Sequence, residues 1–420
     1  MPDFRFIHAA DVHLDSPFKG IGGRAPESVF RRLRDSTFTA FDRLVQLCID
    51  ECADFLCIAG DVFDLADRSL RAQTHFQKRM RELDQHGIRV YVIHGNHDPA
   101  DGGKAPLMWP DNVHFFSSEE VEAVPFVKQG REVARLYGRS YPTAKFTKRI
   151  VDDYRREADA PFSIGLLHTN IDGDPSHDNY APCTKKDLLE KGFDYWALGH
   201  IHQSRILHER EPSIVYAGNT QGRSVRELGP KGCYLVDVKD GVVQRLTFYE
   251  TADVRWHLIE LDLTGEDDIQ YVLDQVQEAL QQTAEMAPHQ AAVVRINLTG
   301  VTRVHQQLKP VDHFLELLEP YLEEFLQTEN WVFVESVRVH TQPYISRETL
   351  LEAQGFLSDY LHLVEEIKTS PEQLVTVQEE VLSAVYGHRE GRKYLERLTE
   401  EELRELLDEV GDLAIRLFSR

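Results

Sequence analysis

The chain has 420 residues, enough for two or three domains, and its 42% hydrophobic and 28% charged residues are typical of globular proteins. No stretch approaches the roughly 20 apolar residues of a membrane-spanning helix, and the first residues lack the pattern of a signal peptide, so we expect a cytoplasmic protein without membrane contact. The five cysteines are few and lie mostly in apolar patterns, which predicts reduced core residues and excludes a disulfide framework.

The net charge of −23 at pH 7 is unusual for a protein that binds nucleic acid, but this charge is unevenly distributed. Residues 251–420 carry 33 acidic and 14 basic residues, whereas residues 1–250 carry 37 and 33 and are close to neutral. Several carboxylates of the N-terminal part lie in the motifs described below, where bound cations would offset them. The acidity therefore belongs to the C-terminal part.

The first 250 residues alternate strand patterns with amphipathic helix patterns. Helices are predicted over residues 28–51, 69–86 and 184–191. The predicted strands cover residues 4–9, 55–59, 90–93, 113–116, 133–138, 162–167, 195–198, 214–217, 233–238 and 242–249. Strands between helices predict a layered α/β fold, with antiparallel pairing in the later half, where residues 235–246 have a hairpin pattern.

After the first 250 residues, the sequence pattern predicts a small α/β domain. Its strands are predicted over residues 256–263, 292–298 and 331–340, and its helices over residues 267–285 and 311–327. Beyond Ser346 the pattern is helical over residues 348–368, 371–386 and 391–418. We therefore expect three parts, with boundaries at residues 1–252, 253–345 and 346–420.

Polar side chains follow five predicted strands at the point where each strand ends. In chain order they are Asp11 and His13; Asp61 and Asp64; Asn96, His97 and Asp98; His168; and His200 and His202. Ligands bind at the carboxyl ends of strands in open α/β sheets, so these groups predict one site. Carboxylate, imidazole and amide oxygen suit manganese, iron or zinc, and the set suggests a dinuclear centre with Asp61 as the bridge. Glycines 60, 95 and 199 would allow the backbone to turn sharply and metal or phosphate to approach closely.

Each motif alone is weak evidence. An Asp-x-His pair occurs by chance in many chains, and Gly-Asp-x-x-Asp is common in turns. Gly-Asn-His-Asp and Gly-His-Ile-His are more specific, because Asn-His at a strand end has little structural purpose. The occurrence of all five in order, each after a strand, argues against unrelated turns.

This series of motifs resembles that of the calcineurin-like metallophosphoesterases over roughly residues 4–220. The resemblance implies a two-sheet α/β/β/α sandwich and two divalent metal ions, with manganese as the expected metal. It places one metal on Asp11, His13, Asp61 and His202, and the other on Asp61, Asn96, His168 and His200. It makes His97 a catalytic imidazole near the leaving group, with Asp98 as its orienting partner.

Within that family the chain is similar to nuclease subunits of the SbcCD type, and most to the YhaO branch of bacterial DNA-repair exonucleases. GDVFD, residues 60–64, is similar to GDLFD in those nucleases, and SIVYAGNTQGRS, residues 213–224, departs from their YPGS-like turn in the direction of YhaO. A cap domain and a partner-binding region follow the core in that family. The resemblance implies DNA as substrate and, as partners, a coiled-coil ATPase of the SbcC or YhaN type and a second copy in a homodimer.

The expected reaction is two-metal hydrolysis of a DNA phosphodiester. Substrate binding is assigned to Asp64 and to Arg223, which follows the last histidine motif most closely. Further candidate DNA contacts are Arg31, Arg32, Arg34, Lys145, Lys148, Arg149 and Arg226. Each of these has an alternative interpretation as a solvated surface charge.

Alternative functions, and the role of the C-terminal helices, remain open from the sequence. The same metal core could serve a phosphomonoesterase or a small-molecule phosphodiesterase, because a fold does not determine the substrate. The chain could also be a metal-bound scaffold subunit of an ATPase complex, although a scaffold has no need of His97. The apolar positions of the C-terminal helices fit either packing within their own domain or docking onto a partner ATPase.

Overall fold

The computed structural model describes residues 2–18, 21, 25–64, 69–101, 107–175, 178–344, 347–383 and 398–418. Part of the predicted helices over residues 371–386 and 391–418 lies outside these ranges. None of the described helices is both long enough and apolar enough to cross a membrane.

The first sheet combines parallel strands with a C-terminal hairpin. In spatial order its six strands are β12 (Val242–Glu250), β11 (Gly232–Lys239), β1 (Phe4–Ala9), β2 (Phe55–Ala59), β3 (Arg89–Ile93) and β4 (Val113–Phe115). Strands β1 to β4 run parallel, and β11 pairs antiparallel with both β1 and β12. The predicted antiparallel hairpin over residues 235–246 is therefore confirmed.

The second sheet also has six strands. In spatial order they are β5 (Glu122–Lys128), β6 (Arg131–Gly138), β7 (Ser163–His168), β8 (Tyr195–Gly199), β10 (Ser213–Tyr216) and β9 (Arg205–His208). Strands β5 and β9 were not predicted, and both lie at the edges of this sheet. Edge strands lack a two-sided apolar pattern: β5 contains Pro125 and β9 is only four residues long.

The two sheets pack face to face. Alternate residues of β1 point to opposite sides, so that Phe6 packs between the sheets while Ile7 packs under the helices. Phe6 stacks on Phe55 of the first sheet and meets Tyr195 of the second sheet edge-on, with ring centroids 5.0 and 5.2 Å apart. All three rings are fully buried, which places the main core between the sheets.

Helices cover both outer faces. Helices α1 (Glu27–Asp50) and α2 (Leu70–Gln85) bury apolar faces on the first sheet. Helix α3 (Lys185–Glu190) buries Leu188 against the second sheet. The predicted four-layer α/β/β/α sandwich is confirmed.

A three-stranded sheet follows, in the order β13 (Val254–Asp262), β14 (Ala291–Thr299), β16 (Val332–Val339). Its connections contain α4 (Ile269–Met286), the short strand β15 (Val301–Thr302) and α5 (Val311–Leu326), and β17 (Gln342–Pro343) follows β16.

The C-terminal helices are α6 (Arg347–Glu352), α7 (Phe356–Thr369), α8 (Pro371–Thr376), a π-helical turn (Val377–Val381) and α9 (Glu400–Phe418). The single helix expected over residues 348–368 is wrong. Gly355 has a φ of +137°, which an α-helix does not contain, and the helix is divided there into α6 and α7.

The chain divides into two compact units. The first comprises Met1–Glu260, Asp274–Asn297 and Leu317–Arg338, and the second comprises Leu261–Leu273, Leu298–Glu316 and Val339–Arg420. Strands β13, β14 and β16 each pass from one unit into the other, so the predicted three-part boundaries stay a prediction. The second unit has its own apolar cluster, which includes Val364, Leu374, Leu403 and Leu407.

Candidate metal centre

The five motifs lie at the carboxyl ends of β1, β2, β3, β7 and β8. The loops after β1 and β2 continue the parallel pairing beyond the strands, with the backbone N–H of Asp11 donating to Gly60 O at 3.0 Å and that of His13 to Asp61 O at 3.0 Å. Leu14 and Phe63 then form a further parallel bridge. The parallel pairing of these two loops therefore fixes the backbone positions of Asp11 and Asp61.

Four candidate ligands have left-handed backbone conformations. The φ values are +50° at Asp11, +47° at His13, +53° at Asp61 and +96° at His200. Such conformations cost on the order of 1–3 kcal/mol each and persist only where the surroundings impose them, most often at functional sites. The hydrogen bonds between the loops supply that constraint for the first three.

The first group of donors contains Asp11, His13 and His202. One ligand atom from each lies within 4.8 Å of the others, and the two Nε2 atoms of the histidines are 3.3 Å apart. Two nitrogens that each lie about 2.0–2.1 Å from one metal ion are roughly 2.9–3.4 Å apart for bond angles from a right angle to tetrahedral. The spacing of these imidazoles therefore fits a shared cation.

The second group surrounds the side chain of Asn96. Its Oδ1 lies 3.0 Å from His168 Nε2 and 3.2 Å from His200 Nδ1. Oδ2 of Asp61 lies 3.3 Å from His168 Nε2 and 3.9 Å from His13 Nε2, between the two groups. Asp11 also lies between them, within 4.8 Å of both Asp61 and His168. The structure thus brings all seven predicted ligands together, and Asp61 fits the bridging position.

Each of the four candidate histidine ligands has one ring nitrogen next to a protein oxygen and the other turned toward the centre. The outer contacts are His13 Nδ1 to Asp64 Oδ1 (3.2 Å), His168 Nδ1 to Ala59 O (2.9 Å), His200 Nε2 to Asp178 O (2.8 Å) and His202 Nδ1 to Glu227 Oε1 (2.7 Å). Metal-binding histidines commonly donate their second N–H in this way, which fixes the ring and its tautomer. The donor chemistry therefore fits a pair of divalent cations.

The electrostatics link buried carboxylates to buried imidazoles. Burial lowers the pKa of His168, but the charge and hydrogen bond of Asp61, together with Asp11 and the Ala59 carbonyl, raise this pKa to about 9. Burial would raise the pKa of Asp61, yet the His168 imidazole holds it well below its usual range. Burial raises the pKa of Asp11. Only the neutral imidazole is a metal ligand, so a cation that binds at His168 competes with a proton.

The three motif glycines provide space for the side chains of the centre. A Cβ atom would lie 2.4 Å from His168 Nδ1 at Gly60, 2.3 Å from Asp61 Oδ1 at Gly95 and 2.0 Å from Ala59 O at Gly199. Gly60 also has a φ of +95°. The groups that approach are candidate ligand side chains at Gly60 and Gly95 and a backbone carbonyl at Gly199, and the approach of metal or phosphate stays a prediction.

The predicted orienting role of Asp98 is wrong. Nδ1 of His97 lies 2.6 Å from Oδ1 of Asp64, and the His97 side chain is 44% exposed. Asp98 is fully buried, and its two oxygens accept hydrogen bonds from the backbone N–H groups of Gly95 (2.8 Å) and Val62 (2.9 Å). Asp98 therefore stabilises the loop that carries His97, while Asp64 contacts the ring.

Asp64 does not have the geometry expected of a substrate-binding residue. Its oxygens contact His13 and His97, the Ser16 hydroxyl and Arg223 NH1, the last at 3.4 Å. Burial would raise the pKa of Asp64, but the hydrogen bonds from His13 and His97 outweigh burial and lower it. Asp64 therefore links the candidate ligand His13 to His97 and Arg223.

Arg223 lies beside the first donor group, as expected from its position after the last motif. Its NH2 lies 3.5 Å from His202 Nδ1 and 3.2 Å from Glu227 Oε1, and its NH1 donates to Ser16 Oγ at 2.9 Å. Its side chain is 16% exposed.

The other predicted DNA contacts have different surroundings. Arg32 is engaged by the protein, with Nε 2.8 Å from Asp253 Oδ2 and NH2 3.1 Å from Asn330 Oδ1. Arg149 pairs with acidic neighbours, at 3.3 Å from Asp152 and 3.0 Å from Asp187. The remaining candidates are exposed: Arg31, Arg34, Lys145, Lys148 and Arg226.

Sequence reasoning missed several residues that support the ligands. Besides Glu227, Lys231 is buried and donates from Nζ to His202 O at 2.8 Å, and the Tyr141 hydroxyl donates to His168 O at 2.6 Å. These residues lie outside the strand-end motifs, and no pattern in the sequence distinguishes them.

Comparisons with known proteins agree with this geometry. Residues 4–204 match the family model of calcineurin-like phosphoesterases, and residues 256–342 match that of the middle domain of the metallophosphoesterase YhaO. The chain is 36% identical over 409 residues to the uncharacterized metallophosphoesterase YhaO of Bacillus subtilis, covering 97% of this chain and 96% of that protein.

Nucleases and DNA-repair proteins are more distant relatives. Over 248 residues the chain is 30% identical to the DNA double-strand break repair protein Mre11 of Aeropyrum pernix, covering 54% of this chain and 56% of that protein. Over 272 residues it is 25% identical to the SbcD component of the nuclease SbcCD of Bacillus subtilis, covering 56% of this chain and 67% of that protein. By its close full-length relative and its family match, the chain belongs to the calcineurin-like metallophosphoesterases.

Proposed function

We propose that this protein is a metal-dependent DNA phosphodiesterase that acts in DNA repair. The observation that carries the proposal is the His97 imidazole, which is held by Asp64, half-exposed and adjacent to seven converging donors. A centre that only bound metal would not need an imidazole in this position. The similarity to proteins named for DNA break repair and nuclease activity supports DNA as the substrate class.

Each group of the centre has a proposed part in the reaction. Two divalent cations, when bound, supply charge stabilisation for the phosphate and a water activated near neutral pH. Asp64 engages Nδ1 of His97, so the protonated imidazole presents its Nε2–H to the departing sugar oxygen, gives up that proton and is left neutral. Arg223 offers a guanidinium beside the first donor group for a phosphate oxygen.

The finer features of the proposal are manganese as the metal, exonucleolytic cleavage and cytoplasmic residence. We also propose a coiled-coil ATPase of the SbcC or YhaN type as partner, and a homodimer. The ATPase partner is supported by the similarity to a protein named as a subunit of the nuclease SbcCD and to proteins named for DNA break repair.

The testing experiment is a nuclease assay of the purified protein with Mn²⁺ on linear, nicked and hairpin DNA. A phosphomonoester and a small phosphodiester serve as alternative substrates. We expect cleavage of DNA by the wild type and none by Asp61→Asn, because the bridging carboxylate is lost. Hydrolysis of only the small substrates would overturn the proposal in favour of a small-molecule esterase.

His97→Ala tests the catalytic role separately. We expect this variant to bind Mn²⁺ like the wild type and to cleave DNA about 10²–10⁴-fold more slowly, the usual range for loss of a general acid. His114→Ala is the matched control, since His114 is 38% exposed and pairs with Glu122 at 3.3 Å. Loss of Mn²⁺ binding in His97→Ala would show that this imidazole is a ligand and not an acid.

A further inference from the structure

Glu227 lies between β10 and β11 and belongs to none of the strand-end motifs. Its side chain is 13% exposed, yet it accepts four hydrogen bonds. Oε1 accepts from His202 Nδ1 at 2.7 Å and from Arg223 NH2 at 3.2 Å. Oε2 accepts from Asn219 Nδ2 at 2.9 Å and from the Arg223 backbone N–H at 2.7 Å. The carboxylate of Glu227 therefore accepts hydrogen bonds from the candidate ligand His202, from the side chain and backbone of Arg223, and from Asn219.

The contact with His202 has a chemical consequence. A neutral imidazole carries one N–H, and the ring nitrogen beside Glu227 is the one that donates. The other nitrogen, Nε2, then presents its lone pair toward His13 Nε2, 3.3 Å away, where the first donor group converges. With the opposite tautomer, Nε2 would carry the hydrogen and could not bind a cation. The carboxylate thus selects the ligating form of the ring.

The backbone of His202 is held independently. Its carbonyl accepts from Lys231 Nζ at 2.8 Å and from the Asn219 backbone N–H at 3.3 Å. Because Asn219 also donates to Glu227, the backbone and the ring of His202 are fixed by one connected set of residues. A substitution at Glu227 therefore releases the ring while Lys231 still holds the backbone.

The same carboxylate fixes Arg223. Two of the hydrogen bonds of Glu227 come from this residue, one from the backbone N–H and one from the guanidinium, whose NH1 donates to Ser16 Oγ. Arg223 lies next to Nδ1 of His202, so it leaves the metal-facing Nε2 of that ring accessible. Glu227 therefore contacts both the candidate ligand and the arginine, whose NH1 also lies 3.4 Å from Asp64 Oδ2.

We propose that Glu227 is a positioning residue of the metal centre, which holds His202 in its ligating tautomer and Arg223 beside it. This inference rests on the proposed ligand role of His202. It predicts that one of two cations depends on Glu227, namely the one shared by Asp11, His13 and His202. Loss of a carboxylate that orients a metal-binding histidine typically weakens metal affinity about 10–100-fold.

The test measures Mn²⁺ binding to metal-free protein, without DNA, by calorimetry and by the electron paramagnetic resonance signal of free Mn²⁺. We expect the wild type to bind two ions, and Glu227→Ala to retain one ion at wild-type affinity and bind the other about 10–100-fold more weakly. Glu227→Gln should fall between them, because its amide oxygen still accepts from Nδ1 but carries no charge. Glu132→Gln is the matched control. Oε1 of Glu132 lies 2.6 Å from Arg135 Nε, and this pair is not part of the metal centre.

A double-mutant cycle with His202→Ala tests whether Glu227 acts through the ring. If it does, Glu227→Ala and His202→Ala together weaken binding no more than His202→Ala alone. Additive losses, equal weakening of both ions or unchanged binding in both Glu227 variants would overturn the inference. A wild type that binds no Mn²⁺ would instead overturn the proposed function, so the two failures are distinguishable.

Discussion

Asp64 Oδ1 lies 2.6 Å from Nδ1 of His97, the imidazole proposed as the general acid, and 3.2 Å from Nδ1 of the candidate ligand His13. One carboxylate oxygen thus orients both a ligand and the group that would protonate the leaving oxygen. It does so three residues after Asp61, the carboxylate that lies between the two donor groups. The second motif therefore supplies both the candidate bridging carboxylate and the carboxylate that contacts the proposed general acid.

Asp64→Asn is expected to slow DNA cleavage about 10–100-fold. The amide is uncharged and cannot accept equally from both imidazoles, and hydrogen bonds to charged groups are worth about 1.5–3 kcal/mol. The measurement is kcat at saturating Mn²⁺, alongside Mn²⁺ affinity. An unchanged kcat would show that His97 does not need Asp64.

Asp98→Asn is expected to act on stability instead. Asp98 accepts from two buried backbone N–H groups, and loss of these charge-assisted bonds should lower the free energy of unfolding by roughly 1–3 kcal/mol. The measurement is urea unfolding, with kcat determined on the protein that remains folded. A variant with wild-type stability and a large loss in kcat would restore the role first expected for Asp98.

Gly199→Ala is expected to disrupt the approach of β8 to β2. The added Cβ would lie 2.0 Å from the Ala59 carbonyl oxygen, a backbone atom that cannot rotate away. Gly192→Ala is the control, since no atom lies within 4 Å of its Cβ position and only its φ of +72° opposes the substitution. We expect the unfolding free energy to fall further in Gly199→Ala, and equal losses would contradict the packing explanation.

Removal of divalent metal is expected to lower the thermal stability of the wild type. Two buried carboxylates, Asp11 and Asp61, face one centre, and a ligand that binds only the folded state stabilises it by about 2.7 kcal/mol at one hundred times its Kd. The measurement is the melting temperature with Mn²⁺ and with a chelator. Asp61→Asn should melt at the same temperature in both, and a wild type insensitive to the chelator would count against the centre.

Arg31 and Arg32 are adjacent on α1 but should differ in effect. Arg32→Ala leaves the buried Asp253 with Arg43 and should destabilise the fold, whereas Arg31 is exposed and its loss should leave stability unchanged. If Arg31 contacts a phosphate, Arg31→Ala lowers the slope of DNA affinity against salt by about one. A salt slope that falls in Arg32→Ala while stability is unchanged would contradict the structural role.

The sequence by itself determined the layered fold and which side chains lie together at the candidate centre. Strands that are apolar at nearly every position are buried on both faces, and the carboxyl ends of parallel strands meet at one edge. Asp11, Asp61 and Asn96 could be placed together for that reason, although they are distant in the chain. Edge strands such as β5 were not predictable, since Pro125 and exposed positions remove the two-sided pattern.

Only the tertiary structure decided which groups orient the ligands. Asp98 is next to His97 in sequence, but neighbours in a tight loop point in different directions, and the carboxylate that reaches the ring comes from another strand end. Glu227 is 25 residues from His202 and becomes its partner because the loop after β10 folds back over the centre. Residue type and spacing along strands identify metal donors, whereas the hydrogen bonds that fix their tautomers depend on how separate loops meet in space.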